Sequence, residues 1–113
     1  MKRVCGLGDV PPGCIHGSDL DVDTPLAIYN VNGEIFATSA HCPHEGGPLT
    51  GGMLDGHMVT CPWHQWTFDI RTGVGDYAGG LVDTYEVSVE GDDVLVGKRK
   101  PISIPVRTKG PRP

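Results

Sequence analysis

Apolar residues in this chain come in short runs separated by turn formers. Leu26-Ala27-Ile28-Tyr29-Asn30-Val31 and Glu34-Ile35-Phe36-Ala37-Thr38 flank the dipeptide Asn32-Gly33. Asn-Gly between two strand-like runs predicts a β-hairpin, because a type I′ turn needs positive φ at both central residues and these two residue types tolerate it. A second hairpin is predicted where Tyr85-Glu86-Val87-Ser88-Val89-Glu90 alternates with period two and Gly91-Asp92-Asp93 leads into Val94-Leu95-Val96. Between them, Met58-Val59-Thr60 and Trp66-Thr67-Phe68-Asp69 read as short strands followed by a turn at Arg71-Thr72-Gly73. Near the start, Asp9-Val10-Pro11-Pro12-Gly13 predicts a turn or strand break. No heptad pattern, internal repeat or amphipathic helix stands out, so the pattern predicts an all-β, antiparallel fold.

Composition narrows this. With 113 residues the chain has the length of one domain, and its 17 Gly and 10 Pro are too many for a helical protein. A domain of this size buries about 65% of the surface of its unfolded chain, so a bound metal centre would add useful stability. Nothing at the N-terminus resembles a sorting signal and no stretch approaches the length of a membrane span. These features predict a cytoplasmic protein, in which cysteines bind metal or stay reduced; Cys5 and Cys14 are expected to be reduced thiols.

Charge is unevenly distributed. All fourteen acidic residues precede position 98, accompanied by only Lys2, Arg3 and Arg71, whereas Lys98, Arg99, Lys100, Arg107, Lys109 and Arg112 fall in the last sixteen residues with no acid. The body, residues 1–97, therefore carries −11 and the tail, 98–113, carries +6. An acidic body argues against a nucleic-acid partner, which requires a positive face. The tail, with Pro101, Pro105, Pro111 and Pro113 among its basic residues, is read as a mobile extension of a single 1–97 domain.

The chemistry is concentrated in two segments, Cys42-Pro43-His44 and Cys61-Pro62-Trp63-His64, separated by the sixteen residues 45–60. Pro43, Gly46, Gly47, Pro48 and Pro62 surround them, residues that fix loops in defined bends. One Cys-x-His means little, but two Cys/His pairs, each in a turn-rich loop, form a metal-ligand pattern. Two Cys and two His also suit tetrahedral zinc, although zinc folds usually space cysteines as C-x₂₋₄-C and this chain does not. A Cys-His nucleophilic pair would leave the second Cys and His unexplained. No phosphate-cradling loop or dinucleotide fingerprint is present. His41 reads as a loop or surface histidine, His16 and His57 as exposed, and Trp63 and Trp66 as apolar shielding.

The pattern C-x-H-x₁₆-C-x-x-H resembles the Rieske iron-sulfur family, and the resemblance runs from Val4-Cys5 to Val94-Leu95-Val96. It implies a small antiparallel β-sandwich with a cluster-binding subdomain formed by two loops. It also implies one [2Fe-2S] cluster, held by Cys42 and Cys61 on one iron and His44 and His64 on the other. Two neutral imidazoles in place of two thiolates remove negative charge and raise the reduction potential relative to an all-cysteine cluster. High-potential members carry an extra cysteine in each loop and Ser and Tyr hydroxyls on the cluster; here Gly47, Trp63, Trp66 and Phe68 stand at those positions. The resemblance is therefore to the soluble ferredoxins of bacterial multicomponent oxygenases. It implies a monomeric electron carrier, not an enzyme, placed between a flavin-dependent NAD(P)H reductase and a terminal oxygenase. The loop Gly73-Val74-Gly75-Asp76-Tyr77-Ala78-Gly79-Gly80 lacks a proline found there in many relatives, which leaves aromatic-ring dioxygenase systems and diiron hydrocarbon monooxygenases both open, the first preferred. The alternative is the small Rieske-like subunit of an assimilatory nitrite reductase.

Overall fold

The computed structural model describes residues 1–21, 23–41, 47–63, 65–75 and 80–101. Its strands, in chain order, are β1 (Lys2–Gly6), β2 (Ile15–Asp21), β3 (Thr24–Val31), β4 (Glu34–Ser39), β5 (Met53–Asp55), β6 (Met58–Thr60), β7 (Thr67–Asp69), β8 (Thr84–Glu90) and β9 (Asp93–Arg99). Helix among the described residues is confined to single 3₁₀ turns at Leu7–Asp9 and Leu49–Gly51, and none is long and apolar enough to cross a membrane. A six-stranded sheet has the order β1-β9-β8-β4-β3-β2, and a three-stranded sheet has the order β5-β6-β7. Every pairing is antiparallel.

The β3 strand explains why two sheets form one protein. Side chains along a strand alternate between faces, and here both faces are covered. Leu26 and Ile28 join Cys5, Val10, Ile35, Ala37, Val94 and Val96 in one apolar cluster. Ala27 and Tyr29 face the other way and pack with Leu49, Val59, Cys61, Phe68, Ile70 and Val82. All four β3 residues are fully buried, which is why this stretch reads as a continuous apolar run instead of an alternation.

The first cluster draws together β1, β3, β4 and β9, strands from opposite halves of the six-stranded order. The sheet therefore folds over on itself into the two layers of the expected sandwich. Its edge strands meet where the Ser18 hydroxyl donates to the Val4 carbonyl at 2.6 Å. Capping the edges in this way limits the unpaired backbone they would offer to other chains.

Local chemistry places the hairpins as the sequence predicts. Asn32 and Gly33 have φ of 53° and 97°, so the β3–β4 turn needs both residues in the left-handed region. Asn30, buried just before it, accepts from Gly33 N at 2.7 Å and donates to the Val10 carbonyl at 2.8 Å, so both ends of its amide are satisfied. In the small sheet, Leu54, Val59 and Phe68 stand in register and turn inward toward β3. The β1, β2 and β5 strands had no signal in the sequence. The β2 segment, Ile15-His16-Gly17-Ser18-Asp19-Leu20-Asp21, is too polar to announce a strand and is held by its pairing with β3. Lys98 and Arg99, counted with the tail from their charge, are part of β9.

Candidate metal centre

Of the four expected ligands, Cys61 is among the described residues; Cys42, His44 and His64 lie outside them, as do Glu45 and residues 102–113 of the tail. The geometry around Cys61 and at the feet of the loops is well defined. Cys61 follows β6 directly, and its side chain is 1% exposed, a free thiol set in the apolar cluster with Val59, Phe68 and Leu49. The loop that begins at Cys61 closes on itself: Cys61 N donates to the Trp66 carbonyl at 2.7 Å and Gln65 N donates to the Cys61 carbonyl at 3.0 Å. Gln65 takes a left-handed φ of 59° to complete this closure.

The foot of the other loop is equally fixed. His41 and Pro48 form an antiparallel bridge across the ends of residues 42–46. Leu49 N donates to the Ala40 carbonyl at 2.8 Å, and Ala40 N to the Pro25 carbonyl at 3.0 Å. Gly47, next along the chain, is pressed against the second loop. A Cβ built at Gly47 would lie 2.8 Å from Cys61 Sγ and 3.1 Å from the Trp63 ring. Gly47, just after the first segment in the sequence, is thus seated on the buried Cys61 that opens the second. A third loop closes beside them, where Gly75 N donates to the Gly80 carbonyl at 2.8 Å and Phe68 bridges to Gly75.

The remaining candidates separate. Trp66 is half-buried and leans on Phe68 with ring centroids 6.4 Å apart, as apolar shielding requires. Trp63 departs from that expectation: it is 56% exposed, because its ring lies over Gly47 at the surface instead of entering the core. His41 is exposed, as expected. His16 and His57 are half-buried instead of exposed, His16 within β2 and His57 edge-on against Phe36 with ring centroids 5.5 Å apart. Cys5 is buried, and that burial pushes its thiol pKa up; Cys14 is exposed, and both are free. Below the site, burial likewise pushes the Tyr29 phenol above its ordinary value, against the pull of its hydrogen bond with Thr38. Hydrogen bonds from the Arg71 guanidinium hold the Asp69 carboxyl below the usual carboxylate range at the end of β7.

The donor set suits the expected cofactor. A buried free thiol at Cys61, in close approach to Gly47, fits the soft thiolate part of [2Fe-2S] ligation, and the Cys and His residues of the two sequence motifs would complete it. Fold and site together define a small all-β protein with a buried free cysteine where its short sheet meets a closed loop. Comparison with known proteins names it further. The family model described as Rieske [2Fe-2S] domain matches residues 1–80. The ferredoxin component of biphenyl 2,3-dioxygenase from Rhodococcus jostii (strain RHA1) is 36% identical over 98 residues, covering 85% of this chain and 91% of that protein. The ferredoxin component of the p-cumate 2,3-dioxygenase system of Pseudomonas putida is 40% identical over 102 residues, covering 85% and 84%. Among solved structures, a complex of reduced oxygenase and oxidized ferredoxin in carbazole 1,9a-dioxygenase matches with a TM-score of 0.77 at 32% identity, over 84% of this chain and 99% of that one. The chain belongs to the Rieske [2Fe-2S] domain family. Its cofactor is one [2Fe-2S] cluster, and it is an electron-carrying ferredoxin, not itself an enzyme. A structure described as a putative NADH-dependent nitrite reductase small subunit from Mycobacterium tuberculosis also has a TM-score of 0.77, but at 22% identity it shares the fold alone.

Proposed function

We propose that this chain carries single electrons from a flavin-dependent NAD(P)H reductase to the terminal oxygenase of an aromatic-ring dioxygenase system, working as a cytoplasmic monomer. Cys42 and Cys61 hold one iron, and His44 and His64 hold the other. The observation that supports this reading is the seating of Gly47, three residues after His44 in the sequence, against the buried Cys61 Sγ. The preference for dioxygenases over diiron monooxygenases rests on relatives named for the biphenyl and p-cumate dioxygenase systems and on the carbazole dioxygenase complex.

The bound cluster supplies a one-electron couple. The chain's own residues do the rest. Val59, Phe68 and Leu49 exclude water from the inner side of Cys61, which keeps the thiolate away from solvent and oxidants. The closed 61–66 loop and the His41–Pro48 bridge hold the ligand loops at fixed feet, so the change of charge on reduction meets a preset scaffold. Trp63, exposed beside the site, offers an aromatic contact to a docking partner.

Purified protein is expected to be brown, with about two irons and two sulfides per chain, and to pass electrons from a reconstituted flavin reductase to an aromatic-ring oxygenase. His64→Ala should lose the cluster. A colourless protein with one zinc would end this reading. An intact cluster that exchanges electrons with a nitrite reductase and not with an oxygenase would reassign the partner.

A further inference from the structure

A buried hydrogen-bonded pair lies at the apolar cluster that holds Cys61. The Tyr29 hydroxyl and Thr38 Oγ1 are 2.8 Å apart, and both residues are 0% exposed. Thr38 Oγ1 also donates to the Ser39 carbonyl at 2.8 Å. A threonine hydroxyl has one proton, so the Tyr29 O–H is the donor to Thr38 and the bonds run in one direction: Tyr29 to Thr38 to the Ser39 carbonyl. Ser39 ends β4, and its own N–H donates to the Asp83 carbonyl at 2.9 Å. Two residues further on stands His41, at the foot of the loop that contains Cys42 and His44.

The ring of Tyr29 belongs to the second loop's surroundings. It shares one apolar cluster with Cys61, Phe68 and Val59, on the face of β3 turned toward the small sheet. One residue thus packs beneath the ligand of one loop and, through two side-chain bonds, ties the strand end from which the other loop springs. A phenylalanine would fill the same apolar space. The hydroxyl, placed where a lone polar group is unfavourable, needs a partner and has one in Thr38, on the strand that leads into the first loop.

We propose that Tyr29 is a positioning residue, whose hydroxyl holds the feet of the two cluster-binding loops in fixed relation through Thr38 and Ser39. This rests on the proposed ligand set and concerns how tightly the cluster is kept, not whether it is present. Tyr29→Phe should still fold and take up its cluster, but release iron to a chelator on the order of tenfold faster, with broadened signals in the electron paramagnetic resonance spectrum of the reduced form, because loops without fixed feet sample more ligand geometries. Thr38→Val should do the same. The double variant should be no worse than either single one, since both remove the same connection.

A loss of general stability would speed release as well, so Val94→Ala serves as the control. Val94 is fully buried in the other apolar cluster, away from Cys61. Compared at equal distance below each protein's melting temperature, Val94→Ala should release iron at the wild-type rate and leave the spectrum sharp. Release rates that follow melting temperature alone across the four variants would overturn the proposal, as would wild-type spectra and rates in Tyr29→Phe. A wild-type chain that binds no cluster would instead defeat the ligand assignment.

Discussion

Replacing Gly47 by alanine places a methyl carbon 2.8 Å from Cys61 Sγ, closer than non-bonded atoms tolerate. Trp63, 56% exposed, has room to swing aside, but Cys61 is walled in on its inner side and cannot yield without moving β6. Gly47→Ala should therefore cost about 1–3 kcal/mol of stability, as overpacking typically does, and the purified variant should hold less iron per chain than wild type. Iron analysis beside thermal unfolding checks both. A second residue-scale expectation concerns potential. Phe68 is fully buried and has no hydroxyl, and Gly47 and Trp63 cannot form the inter-loop disulfide of high-potential relatives. Hydrogen bonds to cluster sulfurs stabilise the reduced, more negative state. With fewer of them the midpoint should fall at the low end of the Rieske range, about −150 mV. Protein-film voltammetry at neutral pH measures it, and a clearly positive value would contradict the reasoning.

The element that best shows side chains fixing backbone is the turn after β7. The Asp69 carboxylate accepts from Arg71 N at 2.9 Å, from Arg71 Nε at 2.9 Å and from Arg71 Nη2 at 2.7 Å, while the Asp69 carbonyl accepts from Thr72 N and Gly73 N. This turn returns the chain toward the third loop, whose foot packs against Phe68. Hydrogen bonding by the Arg71 guanidinium lowers the folded-state pKa of Asp69 below its unfolded value, so the ionised form favours folding. That contribution is present above the ordinary carboxylate pKa of about 4 and is lost as pH falls through the lower, folded value. Arg71 is half exposed, which screens the pair. Asp69→Asn should therefore lose only about 1 kcal/mol at neutral pH, and the difference from wild type should shrink to nothing at acid pH. Urea unfolding from pH 7 down to pH 1.5 provides the comparison; a gap that does not narrow as the pH falls below the ordinary carboxylate value would mean the charge is not its source. The sequence marked this segment as a turn through Thr72-Gly73 but gave no sign of the Asp69–Arg71 fork, which depends on how the strand end is aimed.

For the whole molecule the relevant quantity is the field of an acidic body around its redox centre. Transient redox interfaces are small and depend on electrostatic steering for their rate. Asp55 is exposed on β5 of the small sheet, and in the sequence Glu45 follows the proposed ligand His44 and Asp76 follows Gly75, so the proposed approach over His44 and His64 would be acidic with these residues around it. A basic rim on the reductase would be drawn to it. The screening length shrinks from about 30 Å at 0.01 M salt to about 3 Å at 1 M. Electron transfer from the reductase should slow markedly over that range and should also slow in Glu45→Lys and Asp55→Lys. Stopped-flow rates indifferent to salt and to both substitutions would show that this charge serves solubility alone.

What the sequence determined by itself is what depends on neighbours along the chain. Asn32-Gly33 sets a turn through its own φ preferences, the period-two stretches mark β8 and β9, and the two Cys/His pairs name the chemistry because ligand types and spacing are written in order. The tertiary structure decided what depends on residues far apart. The polar β2 becomes a strand only because β3 offers it a hydrogen-bonded edge, and β5 only because β6 does the same. The sequence marked β3 as a strand, but its burial on both faces exists only once the small sheet docks. Trp63 is at the surface because Gly47, sixteen positions away, occupies the space beneath it. The Tyr29–Thr38 bond has the same origin, since two residues of paired strands acquire a shared hydrogen bond only after the register of β3 against β4 is fixed. Such contacts follow from the packing of surfaces, and no local run of residues encodes them.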